Sequence, residues 1–504
     1  MFRKKKTADK EPLNQDNPPQ SPLSDDLETN ITAIMDGFGQ SSDLQYRRLD
    51  HNKKIIIFYI NGITNTDIIN KHIVEPLQET NIEEPEDIQD AVSVNNLQIE
   101  KDLKNILSSL AQGQTAILAD HCPAAFVAQT RQVESRPIQE NSTQAVIRGP
   151  KDSFSESIEK NIALLRSRIQ SPSLRFKEMT VGEVSQTKVS IAYIENIVNQ
   201  EVLSEAIERI SAIKIDAILE SSYIEAYIKE NDLTLFPTIK DSERPDSVAA
   251  EILEGSVAIF VDGTPFILLA PTSFIQFFQS AEDYYQSQYI ASFLRVIRLG
   301  AFFISMLAPS LYIAILSHHQ GLLPTPFLIS IVAQREGLPF PVVFEALLME
   351  LIFEVLREAG IRMPKAVGSA LSIVGALIIG QAAVDAGFVA ASTVIIVSIT
   401  AISSFSLPYY SMGTVTRLLR FAFIICASFI GLYGITIAFI LMLLHMASLR
   451  SFGMPYLSPL APMRNSELKD SIFRFSLRSF LKRPYPADKR NRKRAKSIEG
   501  ESNG

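Results

Sequence analysis

Three stretches of this 504-residue chain are almost free of charge. Between Leu299 and Gln334 there is no Asp, Glu, Lys or Arg, between Ala366 and Thr416 the only one is Asp385, and between Phe421 and Leu449 there is none. Runs of that length and composition suit the hydrocarbon of a bilayer and exclude a single soluble globule. Leu299–Ser317 predicts a first spanning helix at 1.5 Å per residue, with Arg295 and Arg298 at its leading end and a kink at Pro309. Ala366–Asp385 and Phe388–Leu407 predict two more, joined by Ala386-Gly387, a turn so short that it requires an antiparallel helical hairpin. A fourth, Arg417–Ala447, is longer than the hydrocarbon core needs and predicts tilt or protrusion.

The segment His318–Met363 reads differently. Pro324, Pro326, Pro339 and Pro341 bracket an apolar run, Phe327–Ala333, too short to cross a bilayer as a helix and readable as re-entrant or interfacial. Val342–Ala359 then predicts an apolar helix that carries Glu345, Glu350, Glu354 and Glu358. At 100° per residue the last three share a stripe with Arg357 beside it, and Glu345 lies nearly opposite. Four carboxylates argue against lipid on all sides. The basic C-terminal end, Lys482 to Lys496, places that end in the cytoplasm by the positive-inside rule, and an N-terminal part without an export signal belongs there too. Four crossings satisfy both ends, although Arg417 and Arg420 then sit at the outer end of the fourth helix, against the rule.

Charge is partitioned in the same way. Residues 1–290 carry 27 Lys and Arg against 44 Asp and Glu, a net −17; residues 291–463 carry +3 and residues 464–504 carry +7. A net −17 repels a phosphate backbone, so nucleic acid is not the expected partner of the N-terminal part. Cys122 and Cys426 lie too far apart in character to form a disulfide framework or a zinc cluster and read as small buried hydrophobes.

The N-terminal part alternates strand-like and helical patterns. Lys54–Ile60, Gln114–Leu118, Ala124–Val127 and Thr143–Ile147 read as strands. After the turn Arg148-Gly149-Pro150, Ser153-Phe154-Ser155-Glu156 matches a capping box ahead of a helix with Ile158, Ile162, Leu165 and Ile169 on one face. The turn with Lys151 reads either as an anion site at a helix N-terminus or, more simply, as a strand-to-helix turn needing glycine. From Val181 a second subdomain begins, with a strand at Lys188–Ile194, helices at Glu201–Ile213, Tyr223–Lys229 and Val248–Leu253, and a hairpin of Val257–Val261 with Pro265–Leu269 around Asp262-Gly263. The expected organisation is a disordered tail over 1–35, α/β cytoplasmic subdomains over 36–180 and 181–290, an all-α transmembrane bundle over 291–450 with about four spanning helices plus a re-entrant or interfacial acidic helix, and a basic cytoplasmic tail over 451–504. There is no G-x-G-x-x-G, P-loop, C-x-x-C or H-E-x-x-H. No carboxylate pair is marked as general acid and base, so neither catalysis nor a cofactor is expected. His318-His319 lacks a third ligand nearby and reads as a polar cap rather than a metal site.

Several strings, in order, resemble the A-subunit family of spore germinant receptors: Ser41-Ser42-Asp43-Leu44; Val146 to Phe154; Pro245-Asp246 through Glu254-Gly255 to Val261-Asp262-Gly263; Ser280-Ala281-Glu282-Asp283-Tyr284-Tyr285; and Leu338-Pro339-Phe340-Pro341 running into Glu350 to Pro364. The resemblance covers about residues 40 to 470. It implies a protein of the inner spore membrane with a two-subdomain cytoplasmic region and a membrane domain, partnered by a permease-like B subunit and a lipoprotein C subunit. It further implies a nutrient-gated channel in which a homo-oligomer of A subunits forms the path for monovalent cations.

On that footing the second spanning helix is a candidate pore lining. Gly368, Ser372, Gly375 or Ala376, Ile379 and Ala383 give it a small-residue face, with Ser369, Ser372 and Val374 as candidates for the narrow part and Gln381 and Asp385 as added polar groups. Glu350, Glu354 and Glu358, or Asp385, are candidates for carboxylate rings that favour cations, and Glu345 is a further candidate carboxylate. In the simpler reading the small residues pack the bundle and the glutamates pair with Arg357, Arg362 or a partner subunit. A non-conducting scaffold subunit is the competing expectation for function, and a secondary transporter a weaker third. The basic tail and the bundle both predict contact with membrane lipids.

Overall fold

A computed structural model describes residues 22–49, 55–80, 82, 84–85, 87–94, 96–132, 144, 146–362, 380–464, 467–485, 487–488 and 491–494. The chain divides into two compact units, one of Met1–Arg136 with Ile162–Lys177, the other of Pro137–Asn161 with Glu178–Gly504.

In the first unit, β1 (Leu44–Leu49), β2 (Ile55–Ile60), β3 (Leu97–Glu100), β4 (Thr115–Ala119) and β5 (Ala125–Ala128) form a sheet in the order β1-β2-β4-β5-β3, with antiparallel pairs throughout. The run Ile55-Ile56-Ile57-Phe58 is apolar at every position because both faces of β2 are covered. Ile56, Phe58 and Ile60 pack with Ile31 and Ile34 of α1 (Leu27–Gly37) and with Ile106 and Leu110 of α2 (Leu103–Ala111). Ile55 and Ile57 face Ile69, Ile73 and Leu77 of the helical stretch 66–79. Helix α1 thus begins inside the segment expected to be a tail, with the Asp26 carboxylate capping the Thr29 N–H. A fully buried guanidinium, Arg166, donates to Asp43 Oδ2 (2.8 Å), to Ser171 O (2.8 Å) and to Leu174 O (3.0 Å).

The second unit is built on a sheet in the order β6-β7-β9-β10-β8, made of β6 (Leu174–Val181, in this unit from Glu178 on), β7 (Thr187–Ile194), β8 (Lys240–Ser242), β9 (Val257–Val261) and β10 (Ile267–Ala270). Helices α4 (Gln200–Ser211), α5 (Ser221–Ile228) and α6 (Pro245–Leu253) accompany it, α4 through Leu203, Ala206 and Ile210. The stretch 144–161 belongs to this unit because Phe154 packs edge-on against Phe260, ring centroids 5.7 Å apart.

The capping box expected at Ser153 does not form. Ser153 Oγ donates to Glu243 O, and helix α3 (Ile158–Arg168) is capped instead by Asp262 Oδ1, which accepts the Ile158 N–H at 3.1 Å from the β9–β10 turn. The described residues of Thr143–Ile147 are not a strand. Gly149 has φ +136°, and a Cβ there would lie 2.7 Å from the Tyr285 ring, so the turn needs glycine. Arg244 donates to Pro150 O at 3.0 Å and holds that turn.

Beyond Ser287 the unit is helical: α7 (Gln288–His318), α8 (Thr325–Arg335), α9 (Val342–Arg362), helical residues 380–385, α10 (Ala391–Phe405), α11 (Tyr410–Ile430) and α12 (Leu432–Ser448). Among the described residues α7 and α11 are long and apolar enough to cross a membrane, and α10 and α12 are apolar but shorter. Helix α7 runs from the α/β subdomain to a far end at His318. Helix α9 returns, since Glu345 meets Thr393 near Tyr312 at the far end while Arg357 meets Ser404 at the near end. Residues 380–385 turn at 386–387 into α10 with Gly380 beside Val394, the antiparallel hairpin the sequence predicts.

The single fourth span expected over Arg417–Ala447 is instead two helices. Gly431, at φ +65°, reverses the chain so that Gly434 packs on Cys426, and a Cβ at Gly431 would lie 2.7 Å from His319 at the far end. Tyr409 and His445 both return to the near end, beside Lys240 and Thr234. A single unbroken helix would have carried His445 far from its partner.

Candidate functional site

Between α9 and its neighbours the charges of the helical region form an internal ladder. Helices α9 and α11 are antiparallel, so glutamates four residues apart on one face match arginines three residues apart on the other. Glu350 pairs with Arg420, both with fully buried side chains, and Arg420 Nε donates to Ser305 O of α7 at 2.8 Å. One turn nearer the α/β subdomain, Arg417 Nη1 lies 3.0 Å from Glu354 Oε2. At the far end Glu345 accepts from Arg335 of α8 (2.8 Å), from the Ala390 N–H (3.2 Å) and from Thr393 Oγ1 (3.1 Å). Arg357 donates to Ser404 Oγ and lies over the Phe405 ring at 4.7 Å.

These pairs recast the sequence-level candidates. Glu345, Glu350 and Glu354 are neutralised within the chain, and their counter-ions are Arg335, Arg420 and Arg417 rather than Arg357 or Arg362. With the chain reversed at Gly431, Arg417 and Arg420 lie in the near half of α11 rather than at an outer end, and both are ion-pair partners inside the chain. Glu358 pairs with Arg362 on an exposed face. Gln381 Nε2 donates to Asp385 Oδ1 at 2.9 Å, and both are exposed. Ser369, Ser372 and Val374 lie outside the described residues. His318 donates to Ser428 O at 3.0 Å, and His319 packs on Tyr433, so the pair caps the turn between α11 and α12.

A second cluster joins the α/β subdomain to the start of α7, and the string Ser280 to Tyr285 builds it. Ser280 and Asp283 form a capping box on a 3₁₀ turn, which aims Asp283 inward. Its fully buried carboxylate accepts from Arg295 Nε at 2.9 Å and from Arg298 Nη1 at 2.8 Å. Arg295 also reaches Asp470 Oδ1 (2.8 Å), and the other oxygen of Asp470 accepts from Tyr284 OH (2.8 Å). Tyr285 OH donates to Asp246 Oδ2, which also holds Arg244. Three of the strings quoted above for their resemblance therefore meet in one knot, which sequence order alone does not reveal. At β8, Lys240 pairs with Glu251 at 2.7 Å and lies over the ring of Tyr409, the cap of α11.

The C-terminal segment is part of this unit rather than a free tail. Ser451 Oγ donates to Thr238 O and accepts the Thr272 N–H, Asp488 N donates to Ile197 O, and Ala487 packs on Gly255, where a Cβ would lie 2.7 Å away. Arg494 pairs with Glu254 at 3.0 Å, so this part of the basic segment already has a protein partner. Burial first, and then the Glu251 charge, push the Glu254 carboxyl up to about 7 against the pull of Arg494. The unfolded chain ionises there near 4.5, so between about 4.5 and about 7 the folded state holds the extra proton. Folding stability then falls as pH rises through that window and levels above it. Thermal unfolding from about pH 5 to about pH 7.5 is expected to show that slope, and Glu254→Gln to flatten it.

An acidic α/β region is knotted onto a helical region in which two helices are long and apolar enough to cross a membrane, the build of a two-part, membrane-associated chain. The comparisons with known proteins make the class definite. The Bacillus/Clostridium GerA spore germination protein model matches residues 32–485, and the chain belongs to that family. It is 44% identical over 481 residues to spore germination protein KA of Bacillus subtilis (strain 168), covering 94% of this chain and 88% of the relative. It is 37% identical over 471 residues to spore germination protein GerLA of Bacillus cereus, covering 91% and 96%. Among solved structures it is similar to the N-terminal domain of the A subunit of the Bacillus megaterium spore germinant receptor GerK3, with 34% identity, a TM-score of 0.42, and coverage of 52% of this chain and 100% of that one.

Proposed function

We propose that this chain is the A subunit of a nutrient germinant receptor in the inner spore membrane, acting without catalysis alongside a permease-like B subunit and a lipoprotein C subunit. Copies of it surround a nutrient-gated path through which monovalent cations leave to start germination. Family membership over residues 32–485 supports the receptor role. The observation that carries the ion path is the exposed pair Gln381 and Asp385, which bond each other and, among the described residues, lack an arginine partner such as Arg362 gives the exposed Glu358. Asp385 ends its helix at the far-end turn 386–387, where a carboxylate with an amide beside it can stand at the mouth of a water-filled path. With Glu345, Glu350 and Glu354 neutralised inside the chain, Asp385 becomes the main candidate for a cation-attracting ring, and Ser369, Ser372 and Val374 stay candidates for the narrow part. In this reading α7, α9, α10, α11 and α12 cross the membrane alternately, together with the span that the sequence predicts over Ala366–Asp385. Six crossings leave both termini on the cytoplasmic side.

The competing role, a scaffold that relays a signal without conducting, draws on the Asp283 knot, which links subdomain and helix whether or not ions pass. Potassium efflux from spores with single cysteines at positions 368–385, in a Cys426→Ser background, separates the two. Block or constitutive leak along one helical face after thiol modification is expected. Indifference at every reached position would leave the scaffold.

A further inference from the structure

The loop after α5 presents leucines outward at the level where α12 ends. Leu233 is 94% exposed and Leu235 49%. Scattered exposed leucines are ordinary on a protein surface, but this loop is pinned where it stands. Glu230 Oε1 accepts the Gly453 N–H at 3.0 Å, Thr234 Oγ1 lies 2.9 Å from His445 Nε2, and Phe236 packs on His445 and Tyr456, ring centroids 6.3 Å away in each case. His445 is one turn from the end of α12, and Gly453 lies just beyond it. The alternation Leu233-Thr234-Leu235 sends the threonine to the helix and leaves the flanking leucines outward. On α12 itself Leu441 and Leu444, 61% and 63% exposed, continue the apolar surface up to His445.

We infer that Leu233 and Leu235 are a membrane-interface anchor, inserted among the lipid headgroups and upper acyl chains beside the end of α12. The inference rests on the reading that α12 crosses the bilayer. Continuity with the outward leucines of that helix selects lipid as the occupant over a soluble partner. Apolar side chains held at the boundary between headgroups and acyl chains bind there through the area they remove from water. The anchor fixes the height of the α/β subdomain over the membrane at a point apart from the Asp283 knot.

The chain contains no tryptophan, so one introduced indole reports alone. Full-length Leu233→Trp is reconstituted in phosphatidylcholine vesicles, with Leu444→Trp as a reference on the helix. For the Leu233→Trp protein the expected result is blue-shifted emission, quenched more by lipids brominated near the headgroup end of the chain than by lipids brominated near its tip. Water-like emission overturns the anchor, and so does blue-shifted emission indifferent to brominated lipid, which assigns the loop to a second copy of the chain. If the Leu444→Trp reference is also unquenched, the crossing of α12 is what fails. Leu235→Trp repeats the test should Leu233→Trp fold poorly.

Discussion

Arg420→Met with Glu350 left in place is expected to destabilise the helical region by about 3–5 kcal/mol, the cost of leaving a fully buried carboxylate without its counter-ion. The double replacement Glu350→Leu with Arg420→Met is expected to cost much less, because two apolar side chains remove the unpaired charge along with the pair. Thermal unfolding of the purified chain in detergent, run as a double-mutant cycle, measures the difference. Strictly additive costs would mean that the two groups are not coupled. The ladder has a specific consequence for interpreting mutants: loss of germination on neutralising Glu350 reports disruption of packing before it reports anything about ions in a path.

Asp283→Ala is expected to carry a cost of the same order, about 3–5 kcal/mol, since it strips the shared acceptor from Arg295 and Arg298 in a buried setting. Hydrogen exchange should quicken at 288–298 and at 470–474 together, because Arg295 is held by both segments. Asp470→Asn is expected to be milder, its side chain being 24% exposed and its amide oxygen still able to accept. Exchange that quickens in only one of the two segments would show that the knot is two separate contacts.

Much of this was legible from the chain alone, where the signal was local. Uncharged runs marked α7, α10 and the apolar region that α11 and α12 divide between them, the dipeptide Ala386-Gly387 marked a hairpin, and Asp262-Gly263 marked the β9–β10 turn. What escaped depended on partners distant in sequence. Leu44–Leu49, with Gln45, Arg47 and Arg48, has too polar a pattern to read as a strand and becomes one by pairing with β2. Ser153 and Glu156 satisfied the spacing of a capping box, yet Asp262 supplied the cap from about a hundred residues away. The break at Gly431 was hidden because a single glycine inside a long apolar run is ordinary in a spanning helix. The excess length of that run was the available clue. Arg417 and Arg420 gave another: their conflict with the positive-inside pattern disappears once the chain reverses at Gly431 and α11 starts at the near end.

The fastening of both the start of α7 and the end of α12 to one subdomain turns these helices into the posts of a rigid yoke. Asp283 and Asp470 clamp one post, and Thr234, Thr238 and Thr272 clamp the other. A displacement of the subdomain carries both posts together and does no work between them. Helix α9 is tied to α11 by Glu350–Arg420 and Glu354–Arg417 and to α8 by Glu345–Arg335, so its register against its neighbours is set by charge rather than by the yoke.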